Sequence, residues 1–300
     1  MDLIPLTSHI YQLRGGANAG LIVQDGRAVL VDTGVDRDTA RKILRQVDAL
    51  GVQLAAVVIT HAHADHFGGA ATIHGRTGAP VYAPKFEADV VANPIWEPLY
   101  LYSGALPPDE LRHKFTLAEP CPVDGILGTG EQQLGGVQLT VIPAPGHAPN
   151  LMMVAGGDIC FIADACFAPE ILHKHGIPFC VDIDQTLASL AALVALDGVY
   201  AAFVPGHGPA VARIAPWAAE NTARLVEIRE AVARALAATN DVGQIIRRTA
   251  SDIGIAIPNP VIYWLTQTTV LACLASLQRL GRAGVRVVDN ELAWGPEANF

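Results

Sequence analysis

His61-Ala62-His63-Ala64-Asp65-His66 follows the apolar run Leu54-Ala55-Ala56-Val57-Val58-Ile59-Thr60 and precedes Phe67-Gly68-Gly69-Ala70-Ala71-Thr72-Ile73. The run before it reads as a fully buried strand, and the residues after it as the opening of a helix. Three histidines and a carboxylate therefore stand at a strand-to-helix turn. In extended backbone, residues two apart point the same way, so His61, His63 and Asp65 converge while His66 faces them from the start of the next turn. Neutral imidazole and carboxylate are donors that suit zinc, iron and manganese.

Further donors stand at the ends of three later apolar runs. Val137 to Ile142 leads to Pro143-Ala144-Pro145-Gly146-His147, Asp158 to Ala163 leads to Asp164, and Tyr200 to Val204 leads to Pro205-Gly206-His207-Gly208. Each alone reads as turn chemistry. Beside the first cluster they read as ligands.

The ordered set H-x-H-x-D-H, then H, D and H, resembles the metallo-beta-lactamase superfamily of hydrolases, with motifs running from Asp32 to His207. That resemblance implies an α/β (α+β) fold, an αβ/βα sandwich with metals at one edge of two facing sheets. It implies two divalent ions, zinc first and iron or manganese as alternatives. His61, His63 and His147 would hold one ion and Asp65, His66 and His207 the second, with Asp164 bridging both. Asp65 and Asp164 are then the catalytic carboxylates. Asp32 would lie just outside the ligands and orient the histidines, as metal-bound imidazoles usually require; capping the helix Arg37 to Leu50 is its other reading. Asp65 beside His66, with a bridging Asp164, resembles the glyoxalase II, lactonase and nuclease branches more than the beta-lactamases with a cysteine ligand. The implied reaction is hydrolysis of a thioester, lactone or other ester by a hydroxide shared between the metals.

Three rivals carry similar motifs. Persulfide dioxygenases use one iron on two histidines and an aspartate, equivalent to His63 or His61, His147 and Asp164. Superfamily nucleases share the cluster, and a non-catalytic regulator could hold metal and bind DNA through its tail.

The chain has 300 residues, 51% hydrophobic and only 16% charged, which suits a large core and one domain or one and a half. Its formal charge of −9 argues against a dominant nucleic-acid surface and leaves a small-molecule substrate as the expected partner. Five cysteines without paired spacing suit a reducing compartment. Cys166, two positions after Asp164, reads as a small buried residue. The start, Met1-Asp2-Leu3-Ile4-Pro5, lacks the basic and apolar parts of a signal peptide, and no uninterrupted run of about twenty apolar residues occurs. The expectation is a cytoplasmic protein without a membrane segment.

Along the chain, His9 to Arg14, Gly20 to Gln24 and Arg27 to Val31 read as a meander whose second turn is Asp25-Gly26. An insert at about 84–120, with Asp109 to Phe115 as a short helix, departs from the minimal superfamily pattern. It reads as a lid or substrate wall lined by Trp96, Tyr100 and Tyr102, or as the contact of a homodimer. Ala148 stands where the commoner family form has a hydroxyl residue, so the bond it would supply must come from elsewhere, with Asn150 as a candidate. His173, Lys174 and His175 lie on a loop leaving the metal edge, where they read first as solvated loop polarity and otherwise as groups that meet an anionic substrate. Asp184 reads as the cap of a helix Gln185 to Leu196.

Residues 1–212 are thus expected to form the catalytic domain and 213–300 a helical one. The latter reads as helices Pro216 to Ala238, Asp241 to Ile253 and Pro260 to Leu280, then two strands around Asp289-Asn290, an order resembling a winged-helix tail. Arg247, Arg248, Arg279, Arg282 and Arg286 are spread out and offset by acids, which favours a solvated face or subunit contact over DNA reading.

Overall fold

In the computed structural model, which describes residues 1–297, two sheets face each other and helices cover both outer sides. The first sheet runs in chain order through β1 (Asp2–Pro5), β2 (Ile10–Arg14), β3 (Ala19–Gln24), β4 (Arg27–Val31), β5 (Gln53–Val58), β6 (Val81–Ala83) and β7 (Gly125–Ile126). Its first four strands are antiparallel; from β4 onward they are parallel. Asp25 and Gly26 both take positive φ, 49° and 73°, which matches the twist of the β3–β4 hairpin they close. Parallel pairing demands crossovers. They are α1 (Arg37–Leu50), then α2 (Ala64–Phe67) with α3 (Ala70–Thr77), then the insert with α4 (Lys85–Ala92) and α5 (Trp96–Leu101).

The second sheet contains β8 (Gly130–Leu134), β9 (Val137–Pro143), β10 (Met152–Gly156), β11 (Ile159–Ala163) and β12 (Ala202–Pro205), in the order β12-β11-β10-β9-β8. Only β11 and β12 are parallel, joined through α6 (Pro169–His175) and α7 (Ile183–Ala195). After it come α8 (Ala215–Leu236), α9 (Val242–Asp252), α10 (Pro260–Arg279) and the hairpin β13 (Gly284–Val288) and β14 (Glu291–Gly295). Residues 298–300 of the expected C-terminal unit lie outside the described residues.

Strand periodicity builds the layers. Val29, Val31, Ala56 and Val58 of the first sheet meet Met152, Val154, Ile159 and Phe161 of the second in the central core. Their neighbours Leu30 and Val57 point outward to Ile43, Leu44 and Ile73 of the covering helices. Cys160, Ile162 and Met153 point outward on the other side, where Leu190, Leu225, Ile228, Ile245, Val270 and Leu274 complete one continuous cluster. Full burial of each such aliphatic side chain contributes about 1.5–3 kcal/mol. The architecture is the αβ/βα sandwich expected, and the apolar cluster on the second sheet extends without a break into α8, α9 and α10.

Helix α10 is apolar on most sides because it is a core element: Val270, Cys273, Leu274 and Leu277 are fully buried. By length and composition it would pass for a membrane span, although no unbroken apolar run appears in the sequence.

Three local expectations are corrected. Asp36, not Asp32, caps α1, accepting the Thr39 N–H at 3.0 Å. Asp182, not Asp184, caps α7, and Asp184 turns to Arg279 and Ser276 of α10. The helix expected over Asp109–Phe115 is one 3-10 turn, Asp109–Leu111. Thr116 Oγ1 takes the Leu111 carbonyl and His113 Nδ1 takes the Phe115 N–H, the two groups that a longer helix would pair.

Candidate metal centre

The parallel pairs β4–β5 and β11–β12 carry their C-terminal ends to one edge of the sandwich. Asp32 follows β4, His61 to His66 follow β5, His147 lies between β9 and β10, Asp164 follows β11 and His207 follows β12. All seven candidate ligands meet there. The turn bearing His207 is clamped from the facing sheet: Asn18 Nδ2 donates to Pro205 O at 2.8 Å and Gly208 O at 2.7 Å, and Gln12 Nε2 to Gly208 O at 2.9 Å. Gly206 must be glycine, because a Cβ there would land on Asp164 Oδ1.

Four of the five imidazoles are oriented by the partner of their other nitrogen. His147 Nδ1 donates to Phe179 O at 2.9 Å and His207 Nδ1 to Gly16 O at 2.7 Å. A carbonyl only accepts, so when either ring is neutral its lone pair lies on Nε2. Asp32, at φ 61°, lies beneath the cluster. Its Oδ1 accepts Thr60 N–H, and its Oδ2 accepts Thr60 Oγ1–H, both at 2.8 Å, and His66 Nδ1–H at 2.9 Å. With its hydrogen spent on Asp32, Thr60 Oγ1 accepts from His61 Nδ1 at 3.0 Å. His61 and His66 thus also present Nε2. His63 presents Nδ1, 2.9 Å from His147 Nε2.

The donor atoms of His61, His63 and His147 lie within 4.8 Å of one another, as do those of Asp65, His66 and His207. Asp164 stands between the groups, Oδ2 being 3.5 Å from His147 Nε2 and 3.6 Å from His207 Nε2, with Oδ1 3.6 Å from His66 Nε2. His61 Nε2, His66 Nε2 and Asp164 Oδ1 are buried with no hydrogen-bond partner. Orphaned polar atoms of this kind are costly, and three aimed at one place fit a cation.

Charge is divided across the cluster. Burial pushes the His63 imidazole down to about 3 and lowers His61 and His147 as well. Burial acts the same way on His66 and His207, but nearby carboxylates, Asp164 foremost, outweigh it and raise both, His207 to about 10. Burial would raise Asp65, yet His66 and His207 bring it down to about 2, and Asp164 is also held well below the usual carboxylate range.

Other sequence-derived candidates sit further out. Trp96, Tyr100 and Tyr102 are on the open face of the insert, 54%, 41% and 36% exposed, and Tyr102 packs edge-on against Trp264 of α10. His173 is turned to Glu220 at 2.6 Å, Lys174 is exposed, and His175 is lowered by partial burial and then by Lys174. These three end α6 rather than a loop. Cys166 belongs to the apolar cluster. Asn150 offers its backbone N–H to Glu87, while the bond that steadies His147 comes from the Phe179 carbonyl.

Sequence reasoning did not find Glu87, Glu97, Thr60, Asn221 or Thr269. Asn221 of α8 pairs through Oδ1 and Nδ2 with the N–H and carbonyl of Phe167, three residues after Asp164. Thr269 of α10 donates to Pro178 O at 3.0 Å and accepts Cys180 N–H at 3.2 Å, bracketing Phe179. A cavity of about 10 Å³ touches His147 and Asp164. A larger one of about 720 Å³ lies between α9 and α10, lined by Ile246, Arg247, Ile255, Ile257, Tyr263 and Trp264 and by none of the seven ligands.

Such an edge, with imidazoles and carboxylates gathered between two covered sheets, defines a metal-site α/β sandwich. Residues 13–207 match the model of the metallo-beta-lactamase superfamily, and the chain belongs to that superfamily. It is 32% identical to a hydroxyacylglutathione hydrolase of Albidiferax ferrireducens over 65% of this chain and 62% of that protein. It is 41% identical to a protein of the same name from Dechloromonas aromatica, over 59% of this chain and 53% of the relative. The chain thus spans a little over half the length of these two curated relatives. A crystal structure of a metallo-beta-lactamase family protein from Thermus thermophilus matches its fold with a TM-score of 0.74 at 19% identity, covering 97% of this chain and 100% of the other. A beta-lactamase domain protein from Burkholderia ambifaria gives 0.72 at 18%, covering 98% and 95%.

Proposed function

We propose that this chain is a dinuclear metal-dependent hydrolase cleaving a thioester, lactone or other ester. The observation that carries this reading is the pair of donor groups, each complete and joined by Asp164, with buried atoms of His61, His66 and Asp164 otherwise unpartnered. His61, His63 and His147 would hold one ion and Asp65, His66 and His207 the other, with Asp164, which stands between the two groups, shared by both. When bound, such a pair lowers the pKa of water toward neutrality and polarises a substrate carbonyl. Asp32, through His66 and Thr60, and the Phe179 carbonyl, through His147, keep lone pairs turned inward. Asp65 and Asp164 supply the negative charge that balances the ions, and we assign them the catalytic role.

A thioester is favoured among the substrates by the names of the curated relatives, which are hydroxyacylglutathione hydrolases. Zinc is the first choice for imidazole-rich donors. Trp96, Tyr100 and Tyr102 serve as a substrate wall, and Lys174 as the cationic side of the entrance, with the neutral imidazole of His175 beside it. Residues 213–297 act as a winged-helix-like support to a catalytic unit of 1–212. Cytoplasmic residence is supported by five free, buried cysteines.

Metal content per chain, measured by elemental mass spectrometry on protein expressed without added metal, tests this reading. Two zincs with turnover of a thioester, lost in His147→Ala and Asp164→Asn, are expected. One iron per chain with little zinc would transfer the reading to a dioxygenase, and no metal would overturn it.

A further inference from the structure

Glu87 lies on α4 in the insert, and its side chain is only 3% exposed. Its two carboxylate oxygens serve two backbone amides from different loops. Oε2 accepts Ala62 N–H at 2.9 Å, and Oε1 accepts Asn150 N–H at 2.9 Å. Ala62 separates His61 from His63, and Asn150 stands three residues after His147. These are the loops that bring together one complete donor group.

A second insert acid reaches the first of these loops. Glu97 of α5 is buried and takes the N–H of Ala64. Residues 61, 63 and 65 point their side chains to the centre, while the amides of the alternate residues 62 and 64 are taken by two acids. Burying a carboxylate is costly unless hydrogen bonds compensate it, and here backbone amides supply them. Burial raises the Glu87 carboxyl, and the amides of Ala62 and Asn150 draw it back.

We infer that Glu87 is a positioning residue for the metal site, tying the loop of His61 and His63 to the loop of His147 so that the three donors are set before an ion arrives. This rests on the metal-site reading above. It gives the insert a task apart from any contact with substrate.

Glu87→Gln tests it at constant volume. One oxygen becomes an NH₂ group that cannot accept an amide hydrogen, so one of the two ties is lost. The apo-protein is expected to keep its far-UV circular dichroism, while zinc affinity, from chelator competition, falls about 10–100-fold, the usual cost of losing an outer partner. The d–d absorption of the cobalt-loaded protein should change in position or intensity, which a purely scaffolding role would not produce. Unchanged affinity and an unchanged cobalt spectrum in a folded variant would overturn the inference. Should Glu87→Gln fail to fold, Glu87→Asp, which keeps the charge but shortens the reach, is judged by the same two readouts. Failure of both to fold would make Glu87 a folding residue and equally overturn its positioning role. Wild-type protein that binds neither zinc nor cobalt would instead refute the metal-site reading itself.

Discussion

Replacing Asp32 by asparagine separates its charge from its backbone. Position 32 has φ 61°, a left-handed conformation that asparagine tolerates well, so the main chain is not the target. The side-chain oxygen of asparagine still serves Thr60 N–H. Its NH₂ group then faces Thr60 Oγ1 and His66 Nδ1, both of which donate to Asp32 in the native chain. The hydroxyl can rotate and accept. His66 can comply only by moving its proton from Nδ1 to Nε2, which takes away the lone pair directed at the ion. A buried bond to a charged acceptor is worth about 1.5–3 kcal/mol, so metal affinity should fall about 10- to 150-fold. Chelator competition measures the affinity, and nitrogen-15 NMR of the imidazoles reports the tautomer. Affinity within about threefold of wild type, with His66 still protonated on Nδ1, would refute the chain of orientation from Asp32.

Two further outcomes are expected. Thr269→Val keeps the volume but orphans Pro178 O and Cys180 N–H, two buried groups at about 1–3 kcal/mol each, so stability should drop by about 2–6 kcal/mol in urea titration; an unchanged midpoint would show that α10 does not hold this segment. Burial pushes the Asp184 carboxyl up, but bonds from Ser276 and Arg279 outweigh it and hold it below its ordinary 3.8. Its contribution is therefore present above that value and lost as pH falls through the lower folded pKa. The gap in urea midpoint between wild type and Asp184→Asn should close as the solution is acidified below about pH 4, and a gap independent of pH would contradict this assignment.

Most strands and the seven candidate donors were legible because both leave local marks, while β1, Asp2–Pro5, left none. Apolar runs of strand length end in His or Asp, and the unbroken run Ala28-Val29-Leu30-Val31 marks a strand covered on both faces. What lay hidden depends on where a group ends up rather than on what it is. Phe179 acts through a carbonyl that every residue possesses. Glu87 and Glu97 look like the solvated acids of any surface helix until α4 and α5 fold against the loop of His61. Asp182 and Asp184 are chemically alike, and only the partners on α10 separate the cap from the ion pair. The aromatic residues of the insert drew attention by their type, yet they face outward while the acids beside them face in.

Thr269, which brackets Phe179 and so steadies the ring of His147, belongs to a helix synthesised after every candidate ligand. As the chain leaves the ribosome, all seven candidate donors emerge before it. The Phe179 segment is tied to the turn of His147 by the N–H groups of Val181 and Asp182, which donate to Gly146 O, and α10 adds the bonds of Thr269. The surroundings of His147 are therefore completed by residue 269 and not by residue 207: a helix that lies beyond every candidate donor in the chain finishes their support.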